Sequence, residues 1–106
     1  MPKYLWKASY TAEGAQGVAK EGGSGRRAAV KAATESVGGT LEAFYFAFGD
    51  GDAYVIADLP GNEAAAAVAM AVNGSGRATV QTITLLTPEE IDAASKVDVD
   101  FRPAGG

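Results

Sequence analysis

Two adjacent arginines, Arg26 and Arg27, follow a glycine-rich segment and could bind an anionic ligand, with Lys20 a short distance upstream. Guanidinium groups, the backbone N–H groups of a helix N-terminus and the helix dipole all favour phosphate or carboxylate. Because the segment lacks the Gly-Lys-Ser/Thr ending of a P-loop, nucleotide hydrolysis is not expected. The alternative is a solvated pair of arginines on the flank of a helix.

Five aromatic residues combine an apolar body with a hydrogen-bonding tip, which suits the wall of a cavity for a small aromatic or polyketide-like molecule. They are Tyr4, Trp6, Tyr10, Tyr45 and Tyr54. The alternative is that these side chains fill the core or an interface. We take as candidate ligand-binding residues Trp6, Tyr10, Arg26, Arg27, Tyr45 and Tyr54.

Three carboxylates, Asp50, Asp52 and Asp58, lie near the central hairpin. Paired carboxylates can perform acid/base chemistry or hold a hard cation, but aspartates in a turn also bind their own backbone. Asp52 is the one candidate for a catalytic base. The chain has no histidine and no cysteine, which excludes zinc sites of the usual type, a histidine base and a cysteine nucleophile. No metal and no cofactor are expected.

The composition points to one small domain with a thin core. The chain has 106 residues and a formal net charge of −4, and although 47% of it is hydrophobic, 22 residues are alanine. A partner chain is therefore expected to supply part of the burial. The acidic balance disfavours nucleic acid as a partner, and no apolar stretch is long enough for a membrane span. The lack of cysteine fits a cytoplasmic protein.

The first half of the chain predicts a strand, a loop and a helix. Residues 3–10 alternate at the period of a strand. Residues 11–25 contain five glycines, which predicts a loop with at most one helical turn. Ser24 is then the N-cap of a helix over residues 25–37, which ends at Gly38.

A β-hairpin follows, with strands over residues 40–48 and 53–59 around a turn of glycine and aspartate. Both faces of these strands are apolar. The pattern of the first strand places three phenylalanines on one face and Leu41, Ala43, Tyr45 and Ala47 on the other.

The second half predicts a helix over residues 62–72 with Asn62 as its cap, and a strand over residues 77–86. Thr87, a following proline and Glu90 form a capping box that begins a short C-terminal helix.

This order is βαββαβ plus a terminal helix, the pattern of a ferredoxin-like α+β fold with an antiparallel sheet. Because helices cover only one face of such a sheet, its second apolar face needs a cover. We expect two sheets to pack face to face in a homodimer or higher homo-oligomer. Residues 1–96 form the single domain, and residues 97–106 form a mobile tail.

The chain resembles the GYD domain family, small bacterial proteins of the dimeric α/β-barrel superfamily. The resemblance covers nearly the whole chain, and its residues include Tyr10-Thr11, Gly14, Ser24, Arg27, Gly38-Gly39, the run Leu41 to Tyr45, Gly49 to Asp52, Val55-Ile56, Thr82 and Thr87. The naming motif Gly-x-Tyr-Asp falls on Gly49 to Asp52, where Gly51 stands in place of the tyrosine. The resemblance implies the fold and a dimeric assembly, and the family has no established activity.

Three functions follow as hypotheses. The first is a homo-oligomeric small-molecule-binding module without catalytic machinery, with the aromatic residues as cavity wall and Arg26 or Arg27 as anion anchor. The second follows from the resemblance to the dimeric α/β-barrel superfamily and is a cofactor-independent monooxygenase or isomerase in which Asp52 is the base. The third is a regulatory or scaffold oligomer.

Overall fold

Four strands and three helices alternate along the chain in the computed structural model, which describes residues 1–106. The elements are β1 (Lys3–Tyr10), α1 (Ala12–Ser36), β2 (Thr40–Phe46), β3 (Ala53–Asp58), α2 (Asn62–Gly74), β4 (Ala78–Leu85) and α3 (Pro88–Ala94). The strands form one antiparallel sheet in the order β2-β3-β1-β4. The predicted ferredoxin-like α+β fold is confirmed. Its packing against a second sheet, the domain boundary at residue 96 and the mobility of the tail stay predictions.

The two faces of the sheet differ because strand side chains alternate. Tyr4 and Trp6 of β1 point to the face that α1 and α2 cover, where they join Val55, Ala57 and Leu59 in the core. Only 12 of the 106 residues are buried, so the core is thin, as the alanine content predicts.

The other side of the sheet is here called the open face. Its central residues are Lys3, Leu5 and Lys7 of β1 with Tyr54 and Ile56 of β3, which pair across the two strands. Each of these side chains is partly exposed. Neither α1 nor α2 covers this face, so it is accessible to solvent.

Helix α1 begins at Ala12, so the prediction of a loop over residues 11–25 is wrong. A break at Gly22 divides α1 into two helical segments, and the second one is close to the helix predicted over residues 25–37 with Ser24 as its N-cap. Thr11 is the N-cap, and its side chain accepts a hydrogen bond from the backbone N–H of Gly14. At Gly22 the backbone leaves helical geometry, with φ 81° and ψ 161°, and the helix kinks. The glycines of this segment therefore allow a kink and close packing, and the cost of glycine within a helix is offset by the cap and by tertiary contacts.

A bulge in β2 changes the predicted division of its side chains. Leu41 pairs with Ala57 and Ala43 pairs with Ile56, so Glu42 is an extra residue in the ladder. The extra residue moves Leu41 to the helix-covered face, where it packs against the core with Phe44. The prediction that Leu41 shares a face with Ala43 and Tyr45 is wrong, because period-2 alternation does not anticipate a bulge.

The ends of the later elements are close to those predicted. The N-cap of α2 is Gly61 rather than Asn62, which lies inside the helix and makes no capping hydrogen bond. Instead, the side-chain oxygen of Asn62 accepts a hydrogen bond of 2.5 Å from the hydroxyl of Tyr4. The capping box of Thr87 and Glu90 is confirmed. None of the three helices combines the length and the apolar character that crossing a bilayer requires.

Candidate functional site

A cavity of about 910 Å³ lies between the helix-covered face of the sheet and the helices α1 and α2. Its floor includes Trp6, Phe44, Val55 and Val80 from all four strands, and most of its lining is hydrophobic. Its volume is within the range of pockets that hold small organic ligands.

Alanine explains why this space is unfilled. Ala29 and Ala33 of α1, and Ala67 and Ala71 of α2, line the cavity. Each pair is spaced by four residues, which places both methyl groups on the same side of the helix. A methyl group is too short to reach across to the sheet. The high alanine content, which predicts a thin core, therefore leaves a cavity between the helices and the sheet.

The charged residues that border the cavity have a net positive charge, whereas the chain as a whole has a net negative charge. The formal net charge of the protein is −4, whereas the charged residues that line the cavity are Lys20, Arg26 and Arg77 against the single carboxylate of Glu21. An anion entering the cavity would therefore meet an excess of positive charge.

The three cations differ in how fully they are paired. Nε of Arg26 lies 3.4 Å from a carboxylate oxygen of Glu21, but this buried nitrogen has no partner in hydrogen-bonding geometry. A guanidinium nitrogen of Arg77 lies 3.3 Å from a carboxylate oxygen of Glu13. Lys20 forms no ion pair, so Lys20 and Arg26 are the cations with free bonding capacity.

Tyr10 is the tyrosine that lines the cavity together with these charged residues. Burial raises the pKa of the Tyr10 phenol, and the nearby guanidinium of Arg26 opposes this by favouring the ionised form. The phenol therefore carries its proton at neutral pH and can donate a hydrogen bond inside the cavity.

Trp6 is 3% exposed, and its indole Nε1 has no hydrogen-bond partner. A buried N–H without an acceptor is uncommon in folded proteins and costs stability. The ring itself lines the cavity. The single tryptophan of the chain is thus placed where its fluorescence reports on the occupation of the cavity.

The structure brings together three of the six candidate ligand-binding residues, namely Trp6, Tyr10 and Arg26. Arg27 is exposed and lies outside the cavity. Tyr45 and Tyr54 face each other across β2 and β3 on the open face, and the Tyr45 side chain is 72% exposed. The sequence shows no signal for this separation, because it depends on the register between strands.

The candidate base Asp52 holds the hairpin against β1. Its carboxylate accepts a hydrogen bond of 2.8 Å from the backbone N–H of Tyr10, and its own N–H donates to the carbonyl of Ala8 at 2.8 Å. Asp52 is not among the residues that line the cavity.

The other two carboxylates of the hairpin bind lysines of the open face. Asp50 lies 2.6 Å from Nζ of Lys7, which lowers the pKa of the aspartate, and Asp58 lies 2.8 Å from Nζ of Lys3. The aspartates therefore bind three separate groups. No three acidic side chains come together as metal ligands.

Gly51, at the tyrosine position of the motif, is buried beneath two side chains. A β-carbon at this position would lie 2.9 Å from Cγ of Lys7 and 3.2 Å from Cζ of Tyr54. The space that a larger residue would need is occupied by Lys7, which the bond to Asp50 holds in place.

Two charged residues of the cavity were not among the candidate ligand-binding residues. Arg77, which follows a glycine-rich turn after α2, reaches the cavity because α1 packs closely against it. Glu21 lies in the segment that was predicted to be a loop. The alanine pairs spaced by four residues are the signal that could have located the cavity walls.

The family model for the GYD domain matches residues 4–95. The matched range extends from β1 through α3 and contains all the cavity residues named above. Comparison with curated proteins and with solved structures gives no match.

Proposed function

Because the chain belongs to the GYD domain family, we propose that it uses the cavity of this domain to bind a small, largely apolar molecule that carries an anionic group. The apolar part would lie against the valines and alanines of the cavity, and the anionic group at the border formed by Lys20 and Arg26. The proposal concerns binding and includes no reaction, since the carboxylate of Asp52 is already bound to the backbone of Tyr10.

The observation that carries this proposal is the local reversal of charge. In a chain with a net charge of −4, three cations and one carboxylate line an otherwise apolar cavity, and a net positive charge remains after Arg77 is paired with Glu13. If the cavity were only a packing defect, its surroundings would need no excess of positive charge. An apolar cavity with a few converging polar groups is the usual form of a small-molecule site.

Arg26 is the residue on which anion recognition depends most. Its side chain is only about a third exposed and contacts one carboxylate, that of Glu21, so the terminal N–H groups of its guanidinium are free to bind a ligand. A guanidinium also offers the fork of N–H donors that carboxylate, sulfonate and phosphate groups accept. The neighbouring Arg27 has the same charge but is exposed outside the cavity, which makes it a matched control.

The test uses two fluorescent probes of similar shape and different charge. 1-Anilinonaphthalene-8-sulfonate combines an apolar ring system with an anionic sulfonate group. N-phenyl-1-naphthylamine is its neutral counterpart without the sulfonate. Both should bind in the cavity and change the emission of Trp6. Arg26→Gln should weaken binding of the sulfonate probe about tenfold, which is the scale of one charge-assisted hydrogen bond. It should leave the neutral probe almost unaffected.

Arg27→Gln should change neither affinity. The proposal of an anion site is overturned if Arg26→Gln and Arg27→Gln weaken binding of the sulfonate probe equally. It is also overturned if Arg26→Gln lowers the affinity for both probes to the same extent. Binding in the cavity is overturned if saturating probe leaves the Trp6 emission unchanged. Native mass spectrometry of the protein as purified supplies the mass of any molecule that remains bound.

A further inference from the structure

Residues after α3 alternate between charged and apolar side chains. Val97, Val99 and Phe101 are separated by Asp98 and Asp100. An alternation of this kind with β-branched and aromatic residues is typical of a strand with one buried face. We refer to residues 96–102 as the C-terminal arm.

In this structure of a single chain the C-terminal arm is unpaired. It adopts no strand, and the side chains of Val97, Val99 and Phe101 are 65%, 75% and 75% exposed. The preceding helix α3 is exposed along its whole length, so the arm stands away from the sheet of its own chain.

The exposed area of the chain is large enough to indicate a missing partner. The accessible surface is 7119 Å², whereas a folded monomer of this mass exposes about 5,500 Å². The radius of gyration is 16.7 Å, against about 13 Å for a compact domain of this length. The difference in area, about 1,600 Å², exceeds the roughly 800 Å² that each partner buries in a stable interface.

The sheet offers a free edge that suits such a partner. β2 and β4 are the two edge strands. β2 is interrupted by a bulge at the charged residue Glu42, and features of this kind protect edges from pairing. β4 contains no charged residue and no proline, and it pairs with β1 over eight consecutive positions without a shift. β4 is therefore the unprotected edge.

We propose that the C-terminal arm of one copy of this chain forms a strand along the free edge of β4 in a second copy. The backbone of the arm would supply hydrogen-bond partners to β4, as in other cases of strand addition. Its apolar residues would cover Ile83, which is 43% exposed at this edge, while Asp98 and Asp100 face solvent. Reciprocal exchange of two arms gives a closed homodimer.

A second copy is favoured over the chain's own β4 by the position of the arm. All residues from Pro88 to Gly106 are exposed, which shows that neither α3 nor the arm lies against its own sheet. The arm lies outside residues 4–95, whereas the β4 edge that it would pair with lies inside them. The proposal is independent of the cavity and of its ligand.

The first test compares two double variants of the full chain by analytical ultracentrifugation over a range of concentrations. Val97→Asp with Val99→Asp introduces charge on the apolar side of the arm and should weaken dimerisation at least tenfold. Asp98→Ser with Asp100→Ser changes only the side that faces solvent and should leave the dimer intact. Circular dichroism and thermal unfolding check that both variants fold.

The second test uses the absence of cysteine from the chain. A mixture of a Val99→Cys variant and an Ile83→Cys variant, treated with a short bismaleimide, should give a cross-linked dimer that contains one of each. A mixture of Val99→Cys with Arg27→Cys should give far less, since Arg27 lies on a helix away from β4.

The proposal is overturned by any of three results. The first is a wild-type chain that stays monomeric at every concentration. The second is a dimer that Val97→Asp with Val99→Asp leaves unchanged. The third is equal cross-linking in the Ile83 and Arg27 mixtures. Either of the first two results would show that the arm is a solvated tail. The third would show that the arm does not lie along β4 of the partner.

Discussion

Gly14 packs so closely against Arg77 that a β-carbon on the glycine would overlap the carbonyl oxygen of Arg77. The same oxygen accepts a hydrogen bond of 3.0 Å from the backbone N–H of Thr11. Both Gly14 and Arg77 line the cavity. This contact joins the first turn of α1 to the start of β4, and it holds Arg77 at the cavity border.

We expect Gly14→Ala to destabilise the protein by at least about 2 kcal/mol, because the added methyl group meets backbone rather than a movable side chain. Gly17 is the matched control, since it lies in the same helix and nothing is within 4 Å of the β-carbon it would gain. Gly17→Ala should stabilise the protein by about 0.5–1 kcal/mol through helix propensity. Urea unfolding measures both values, and equal effects would contradict the close approach of α1 to β4.

The fluorescence of Trp6 should show a buried indole. Because the side chain is 3% exposed, we expect a blue-shifted emission maximum and weak quenching by iodide, which does not penetrate the protein. The neutral quencher acrylamide should be more effective than iodide. Unfolding in guanidinium chloride gives the exposed reference. An emission maximum equal to that reference in the native protein would contradict the position of Trp6.

Alkaline titration should identify Tyr10 as a phenol with a raised pKa, because burial disfavours its ionised form. The contribution of Tyr10 is the part of the alkaline absorbance change that is present in the wild type and absent from Tyr10→Phe. This part should have its midpoint above the ordinary pKa of tyrosine. Arg26→Ala should move it to still higher pH, since the guanidinium stabilises the phenolate. Arg27→Ala should not shift it.

The same pKa has a consequence for stability. At pH values between the ordinary pKa of tyrosine and the raised pKa of Tyr10, unfolding releases a proton. The free energy of unfolding should therefore fall as the pH rises through this interval. Tyr10→Phe should remove this part of the pH dependence, and a profile identical to that of the wild type would exclude Tyr10 as its source.

Gly51→Ala tests whether Lys7 occupies the space of the missing tyrosine. The new methyl group would lie 2.9 Å from Cγ of Lys7, so we expect a loss of about 1–3 kcal/mol in the free energy of unfolding. In a Lys7→Ala background the same substitution should cost clearly less, because the methylene group it meets has been removed. A double-mutant cycle by urea unfolding isolates this coupling. Additive effects would show that Lys7 does not restrict position 51.

Local patterns in the sequence were sufficient for the order of the elements. The alternation over residues 3–10 predicted β1, and Thr87 with Glu90 predicted the start of α3, since both signals act over a few neighbouring residues. The separation of Trp6 and Tyr10 from Lys7 on opposite faces of β1 also follows from alternation alone.

The errors occur where tertiary contacts outweigh local preference. Five glycines favoured a loop, but the cap at Thr11 and the packing of Gly14 hold the segment as a helix with a kink at Gly22. The bulge at Glu42 likewise depends on how β2 pairs with β3, and no residue within β2 specifies it.

The amino-acid sequence by itself determined the fold class, the thin core and the choice of candidate residues for binding an anionic or aromatic molecule, because these depend on composition and short-range periodicity. Only the tertiary structure decided which of those residues meet. Arg26 reaches the cavity and Arg27 does not, and Tyr54 lies on the face opposite Trp6. The physical reason is that helix rotation and strand register are set by packing between elements distant in the chain, where a shift of one residue exchanges one face for the other.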